Sequence, residues 1–309
     1  MSSDALLTSF NAVAVVGSVT IDRNELADRT LLKAGGAATY AGLTYRRHSV
    51  PTVIVCNVAP AEEVILAPLR RQGIQVNSGR TGHTTRFVNR EQPGGRTQSA
   101  PALAAPIGWG QVAAVRDRVD CLHLGPLHPG DIDPQVFAGL QRSNALIVLD
   151  AQGLTRRIDR GRIATAGSEH LAAALRAADI VKADEAELEV VRAACGADIE
   201  ALMERYDIAE WIVTRGPRGG SIHVRGSRDH LYEPVGVGPP VDPTGAGDVF
   251  LAAYTVARFR RLQPPAAAAR HAAHISAEQV AGRYIDAALL DAARLGIADD
   301  ACFSRIRQD

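Results

Sequence analysis

Apolar positions along this chain fall into short β-branched runs separated by stretches with helical spacing. Residues 12–19 form the first run, starting after Asn11 and breaking near Gly17, as expected of a strand buried on both faces. After Ala34-Gly35-Gly36 the spacing predicts a small-residue helix over 37–47, a strand over 52–57 and a helix over 61–72. Strands and helices alternating through short links call for a parallel sheet with right-handed crossovers.

The alternation breaks between residues 82 and 107. There 84–90 and 96–102 read as extended segments joined by Pro93-Gly94-Gly95, which predicts a β-hairpin. With the polar stretch 21–33 this hairpin is expected to form a small sheet over the mouth of the main one, a lid built from segments at about 21–34 and 82–107. The rhythm then resumes with strands over 120–125, 145–150 and 179–182 and helices over 134–142, 168–177 and 184–194. Strands over 211–215 and 220–225 flank a turn at 216–219, and helical spacing returns over 245–261 and 266–281. The expected fold class is three-layer α/β with a central, mostly parallel sheet and a small β lid, the whole of 1–309 forming one domain.

Composition narrows the function. The chain has 309 residues, 46% of them apolar, with 34 basic and 34 acidic side chains. A net charge of zero argues against a nucleic-acid or anionic-membrane partner held by bulk electrostatics. No apolar stretch approaches the length of a membrane span and the first ten residues lack a leader pattern, so a cytoplasmic setting is expected. Cys56, Cys121, Cys195 and Cys302 stand far apart, which suggests neither a zinc cage nor a disulfide framework. Only Lys33 and Lys182 are lysines, and neither follows a glycine-rich loop. That excludes a P-loop and a protein-kinase design.

The most informative stretch is Asp242-Pro243-Thr244-Gly245-Ala246-Gly247-Asp248, followed by an apolar helix. The backbone N–H groups of Gly245, Ala246 and Gly247 at a helix start are expected to make an anion site, with the helix dipole adding to it. Asp248 beside such a site would repel a phosphate, which makes sense if it removes the proton of an attacking hydroxyl. The alternative is that Asp248 only improves the first helical turn while the glycines allow close packing.

This segment resembles the C-terminal signature of the PfkB carbohydrate kinases, the ribokinase-like family, and the resemblance extends in order along nearly the whole chain. It implies an ATP-dependent kinase with Asp248 as catalytic base and residues 245–247 as anion hole. Gly35 and Gly36 match the di-glycine that approaches the sugar, and Asp22 matches a substrate-binding aspartate. Taken alone, the glycines would mark a turn and Asp22 a solvated turn residue. Lys182-Ala183-Asp184-Glu185-Ala186-Glu187 resembles the Asn-x-x-Glu motif that organises Mg²⁺ through water, with Asp184 where asparagine is usual and Glu187 keeping the carboxylate. The same pair is a helix-capping pattern, and both readings can hold. Thr214, Gly216 and Gly219 match a loop on the nucleotide side, otherwise a plain hairpin, and His274 matches the adenine pocket, otherwise a packed histidine. In some members the positions of Asp242 and Thr244 help bind a monovalent cation such as K⁺.

Tyr40 stands where the family's usual asparagine follows the di-glycine, a departure from the ribokinase and fructokinase patterns. Residues 17–22, 84–89 and Asp150-Ala151-Gln152-Gly153 are similar to the inositol-kinase-like branch, which places Gln152 at a strand end to meet a substrate hydroxyl. Arg96 could contact a substrate anion, but in a chain with so many arginines a solvated one is the default. The expected reaction is phosphorylation of a sugar or cyclitol hydroxyl, with myo-inositol foremost. The alternatives are a nucleoside kinase of the same fold and a non-catalytic sugar-binding member. Pairing of lid edges into a homodimer is expected by analogy with the family.

Overall fold

The computed structural model describes residues 9–26, 28–92, 95–141, 143–236, 238, 240–299 and 303. In chain order these form β1 (Val13–Gly17), β2 (Thr20–Glu25), β3 (Thr30–Gly35), α1 (Ala37–Arg47), β4 (Thr52–Val58), a 3₁₀ turn (Pro60–Leu66), α2 (Ala67–Arg71), β5 (Gln75–Arg80), β6 (Arg86–Gln92) and β7 (Gly95–Ala102). Next come α3 (Trp109–Arg116), β8 (Cys121–Gly125), α4 (Pro134–Leu140), β9 (Leu146–Asp150), β10 (Arg156–Asp159), β11 (Arg162–Thr165), α5 (Leu171–Ala177), β12 (Ile180–Asp184), α6 (Glu185–Cys195) and α7 (Ile199–Tyr206). The chain continues through β13 (Glu210–Thr214), β14 (Gly220–Val224), β15 (His230–Tyr232), α8 (Ala246–Thr255), a π-helical turn (Val256–Arg260) and α9 (Pro265–Val280). Pro93, Gly94, Arg142 and Cys302, and the side chain of Arg96, lie outside the described residues.

Among the described residues the main sheet has nine strands in the order β15-β14-β13-β12-β9-β8-β1-β4-β5. The pairs among β5, β4, β1, β8, β9, β12 and β13 are parallel, while β14 and β15 add an antiparallel edge. The strand period of two distributes each strand between two helical layers. Val13 and Val15 of β1 pack with α1, α8 and α9, whereas Ala14 and Val16 pack with α3, α4, α5 and α7. Burial on both faces is why these strands read as unbroken apolar runs.

The lid is larger than the two expected segments. Its six strands run β10-β11-β7-β6-β2-β3, with β2 and β6 parallel and the other pairs antiparallel. The sequence reading lacks β10 and β11 because Arg156-Arg157-Ile158-Asp159 is too short and too charged to show a period. It also lacks β5, a polar edge strand, and the eight-residue helices α3 and α7. The helix expected over 245–261 ends as an α-helix at Thr255 and finishes in the π-helical turn. The lid grows from the carboxyl ends of β1 and β9, the side of an open α/β sheet where ligands bind. No described helix is long and apolar enough to cross a membrane, and Cys56, Cys121 and Cys195 are free thiols.

Candidate active site

Between the lid and the main sheet lies a cavity of about 360 Å³. Thr20, Asp22, Phe87 and Gln98 of the lid form one wall, Gly36, Ala37 and Tyr40 at the start of α1 a second, and the 243–248 segment a third. Asp150, Gln152, Arg156 and Lys182 line the floor with Leu127.

The lid wall presents hydrogen-bonding side chains held in place by one another. Thr20 Oγ1 donates to Asp22 Oδ1 at 2.7 Å, which orients a carboxylate that is only 6% exposed. Gly35 and Gly36 are needed beside it: a Cβ on Gly35 would come within 2.3 Å of Asp22 Oδ2, and Gly36 has φ +92° with Ser18 O 2.2 Å from its own ideal Cβ. Gln98 Nε2 donates to Asn89 Oδ1 at 2.8 Å and Asn89 Nδ2 to Asn24 Oδ1 at 2.8 Å. This amide chain fixes Gln98 at the cavity wall.

Opposite stands the start of α8. Gly245 is its N-cap with φ 76°, and a Cβ there would lie 2.3 Å from the Tyr40 ring, so the aromatic ring packs directly on the glycine backbone. Of the three amides expected to face an anion, that of Ala246 donates to Pro243 O at 3.2 Å. A tight turn closing onto the helix engages this donor, one of the three that the sequence reading assigned to an anion. Beneath Gly247 sits Lys182, whose Nζ is 3.1 Å from the position of a Cβ on that glycine.

The floor carries an unusual density of charge. Lys182 Nζ donates to Asp150 Oδ2 at 2.9 Å, with both side chains buried. Burial disfavours the ammonium, yet Asp150, Glu187 and Asp248 outweigh it and hold Lys182 above its ordinary value. Arg156 Nη1 donates to Leu127 O at 3.1 Å. Burial lowers Arg156, against the attraction of Glu187, Asp150, Asp248 and Asp184. Asp248, in the first turn of α8, is pushed up to about 7, first by burial and then by Asp150, with Lys182 and Arg156 pulling the other way. A carboxyl group balanced near neutrality in a cavity lining suits proton transfer.

The structure gathers Asp22, Gly36, Tyr40, Gln152, Lys182, Thr244, Gly245, Ala246, Gly247 and Asp248 around this one cavity, with Gly35 just behind Asp22. Asp184, Glu187, Thr214, Gly216, Gly219, His274 and Asp242 fall outside its lining. His274 and Gly216 are exposed, and Gly219, with φ +76°, turns the chain tightly against Tyr232 O. Sequence reasoning assigned no role to Thr20, Phe87, Gln98, Leu127, Asp150 or Arg156. The signal for Asp150 was its place at the end of a buried strand, while Arg156, which opens β10, is one of the chain's 32 arginines and carries no local signal.

Two cations implied by the resemblance fare differently. Asp184 and Glu187 cap α6 reciprocally, Asp184 N–H to Glu187 Oε2 at 2.7 Å and Glu187 N–H to Asp184 Oδ1 at 2.8 Å. Burial, with Asp150 and Asp184, raises Glu187 despite Lys182. No three acidic, histidine or cysteine side chains converge into a metal cage among the described residues. Carboxylates crowded beside the cleft fit Mg²⁺, which keeps waters and donor phosphates as most of its ligands and needs one or two carboxylates. The monovalent-cation position does not fit. Lys33 Nζ lies 2.5 Å from Asp242 Oδ2, and Thr244 N–H donates to Asp242 Oδ1 at 2.9 Å. A second positive charge about 4 Å from that ammonium would be repelled by about 4 kcal/mol at an effective dielectric constant of about 20.

Residues 144–288, which include Asp150, Lys182 and all of α8, match the model of the pfkB family carbohydrate kinases. The matched segment is a little under half of the chain, and the fold is the one shared with ribokinase-family kinases of known structure. Among solved structures it is similar to a pyrophosphate-dependent kinase in the ribokinase family complexed with a pyrophosphate analog and myo-inositol. The TM-score there is 0.75 at 19% identity, over 87% of this chain and 94% of that one. It is also similar to a Burkholderia thailandensis nucleoside kinase in complex with inosine, with TM-score 0.71 at 16% identity over 92% and 97% of the two chains. Arabidopsis thaliana ribokinase, complexed with ribose and ATP, gives TM-score 0.68 at 18% identity over 92% and 98%. No curated protein matches the chain significantly.

Proposed function

We propose that this kinase transfers the terminal phosphoryl group of ATP to a hydroxyl of a cyclitol or sugar, with myo-inositol as the leading acceptor. The observation that carries the reading is Asp248, pushed up to about 7 in the first turn of α8, where it lines the same cavity as Lys182 and Asp22. A hydroxyl held by Asp22, Gln98 and Gln152 would give its proton to Asp248 as its oxygen bonds to phosphorus. The bond from phosphorus to the bridging oxygen breaks and ADP leaves. The amides of Gly245 and Gly247, Lys182 and Arg156 offset negative charge on the transferred group. Mg²⁺, held beside Glu187 and Asp184 with the donor phosphates, would neutralise donor charge when bound. Tyr40 and Phe87 exclude water and so limit wasteful hydrolysis.

The acceptor assignment rests on polar groups dispersed around the wall, which suits a ring carrying hydroxyls on every side, and on Tyr40 in place of asparagine. A second reading, pyrophosphate as donor, has specific support. The charged groups at the donor end recognise phosphate, His274 stays outside the cavity, and the similar inositol-bound kinase is pyrophosphate-dependent. Purified protein assayed with ATP or pyrophosphate against myo-inositol, ribose, fructose 6-phosphate, adenosine and cytidine separates these readings. A phosphorus NMR signal for inositol phosphate supports the proposal, and a nucleoside preferred as acceptor rejects it.

A further inference from the structure

Lys33 stands on β3, two residues before Gly35 and directly opposite Asp22 in the ladder with β2. Its ammonium reaches across the cleft to Asp242, the first residue of the segment that leads into α8. The link joins residues 209 apart in sequence, from the lid to the catalytic turn. Both partners are sheltered, with side chains 15% and 25% exposed. Burial alone would raise Asp242, but hydrogen bonds from Lys33 and Thr244 hold it below the ordinary carboxylate value.

The turn that Asp242 anchors is also hydrogen-bonded from the α9 side. Asp242 N–H donates to Val280 O at 3.1 Å, and Gln279 Nε2 to Thr244 O at 3.2 Å. Lys33 supplies the hold from the lid side. β3 is itself braced there, since Ala292 N–H donates to Leu32 O at 3.0 Å and Lys33 bridges Asp291. The positions of Gly245 and Gly247 follow from this turn, because Thr244 N–H is fixed by the same carboxylate.

We infer that Lys33 is a positioning residue that serves as a tethered cation: its ammonium holds Asp242 and the anion-binding turn in place, so the enzyme needs no free monovalent cation there. An ammonium is a compact, strongly hydrated point charge with three donors, comparable in charge and in oxygen preference to K⁺. Tethering it to β3 also makes the correct turn geometry depend on the lid strand that carries the substrate glycines. The inference rests on the phosphotransfer reading for its catalytic consequence, while the cation preference of the folded protein stands apart from it.

The test compares wild type, Lys33→Ala and the double variant Lys33→Ala/Asp242→Asn in KCl, NH₄Cl and choline chloride at equal ionic strength. Wild type is expected to turn over equally in all three salts within two-fold, with a melting temperature that does not distinguish K⁺ from choline. Lys33→Ala is expected to lose at least tenfold in kcat in choline, to recover with KCl or NH₄Cl, and to melt higher in KCl than in choline. The double variant should show no recovery. A merely structural lysine would not give rescue by a free cation. The inference is overturned if K⁺ activates wild type several-fold, if Lys33→Ala keeps its rate in choline, or if neither K⁺ nor NH₄⁺ restores it. Should Lys33→Ala not fold, thallium soaked into wild-type crystals decides. Anomalous signal at Asp242 overturns the inference, and its absence there supports it. If no acceptor is phosphorylated at all, the functional reading fails, while the melting and thallium arms still judge Lys33.

Discussion

The Lys182 ammonium occupies a point shared by two parts of the site: it donates to Asp150 Oδ2 at 2.9 Å and lies 3.1 Å from where a Cβ on Gly247 would sit. One buried cation thereby joins the end of β9 to the first turn of α8. Asp150 holds it, and the charge it presents lies beside the first-turn backbone of α8.

Lys182→Met is therefore expected to act twice. It strands the Asp150 carboxylate in a buried place, which costs about 3–5 kcal/mol of stability, and removes positive charge from the donor end. Adding Asp150→Asn should restore much of the stability and none of the activity. Thermal melts and turnover of the single and double variants check this, and a double variant with recovered activity would show the ammonium to be only structural.

Glu210 is the contrasting case, a buried ion pair remote from the cavity. It accepts from Tyr254 Oη at 2.5 Å and Arg258 Nε at 2.8 Å, tying β13 to the end of α8 and the π-helical turn. Glu210→Ala leaves Arg258 without its partner and should cost about 3–5 kcal/mol in denaturant melts. The acceptor KM of the folded fraction should stay unchanged.

Gly245→Ala puts a side chain where φ is 76° and where Tyr40 already sits. The left-handed backbone costs about 1–2 kcal/mol, and the ring must move as well. Turnover should fall at least tenfold. A crystal structure showing Tyr40 undisplaced would contradict the packing argument.

How far the sequence carried depended on whether a feature was local. The strands at 12–19, 52–57 and 145–150 were legible because burial on both faces forces continuous apolar runs. The start of α8 was legible because small residues before an apolar helix have few other uses. Asp150 was read only as the start of the 150–153 motif, and Arg156 was not legible, since a single charged residue in a short polar strand carries no period. The engaged Ala246 amide depends on the fold of the 243–246 turn, which composition does not specify. The Lys33 link to Asp242 joins two distant segments, so neither segment announces it.

The stability of the protein should also register the strain at Asp248. A carboxyl raised from its ordinary value to about 7 favours the folded state below the unfolded value and loses that contribution as pH rises through about 7. Asp248→Asn should consequently melt higher than wild type at pH 8, with the difference vanishing near pH 4. Scanning calorimetry at the two pH values checks the sign. Equal melting temperatures at pH 8 would mean the carboxylate carries no desolvation cost.

In the wild type, the same raised value predicts that kcat/KM for the acceptor falls about tenfold per pH unit below about 7 and levels off above it, because the base acts only when deprotonated.

The most direct measurement is the turnover of Asp248→Asn beside its affinity for the phosphoryl donor. With Asp248 as the base, turnover should fall by about 10²–10⁴-fold, the acid limb near 7 should disappear, and donor affinity should hold or improve as a negative charge leaves the site. Turnover within a few-fold of wild type, with the acid limb intact, would contradict the account.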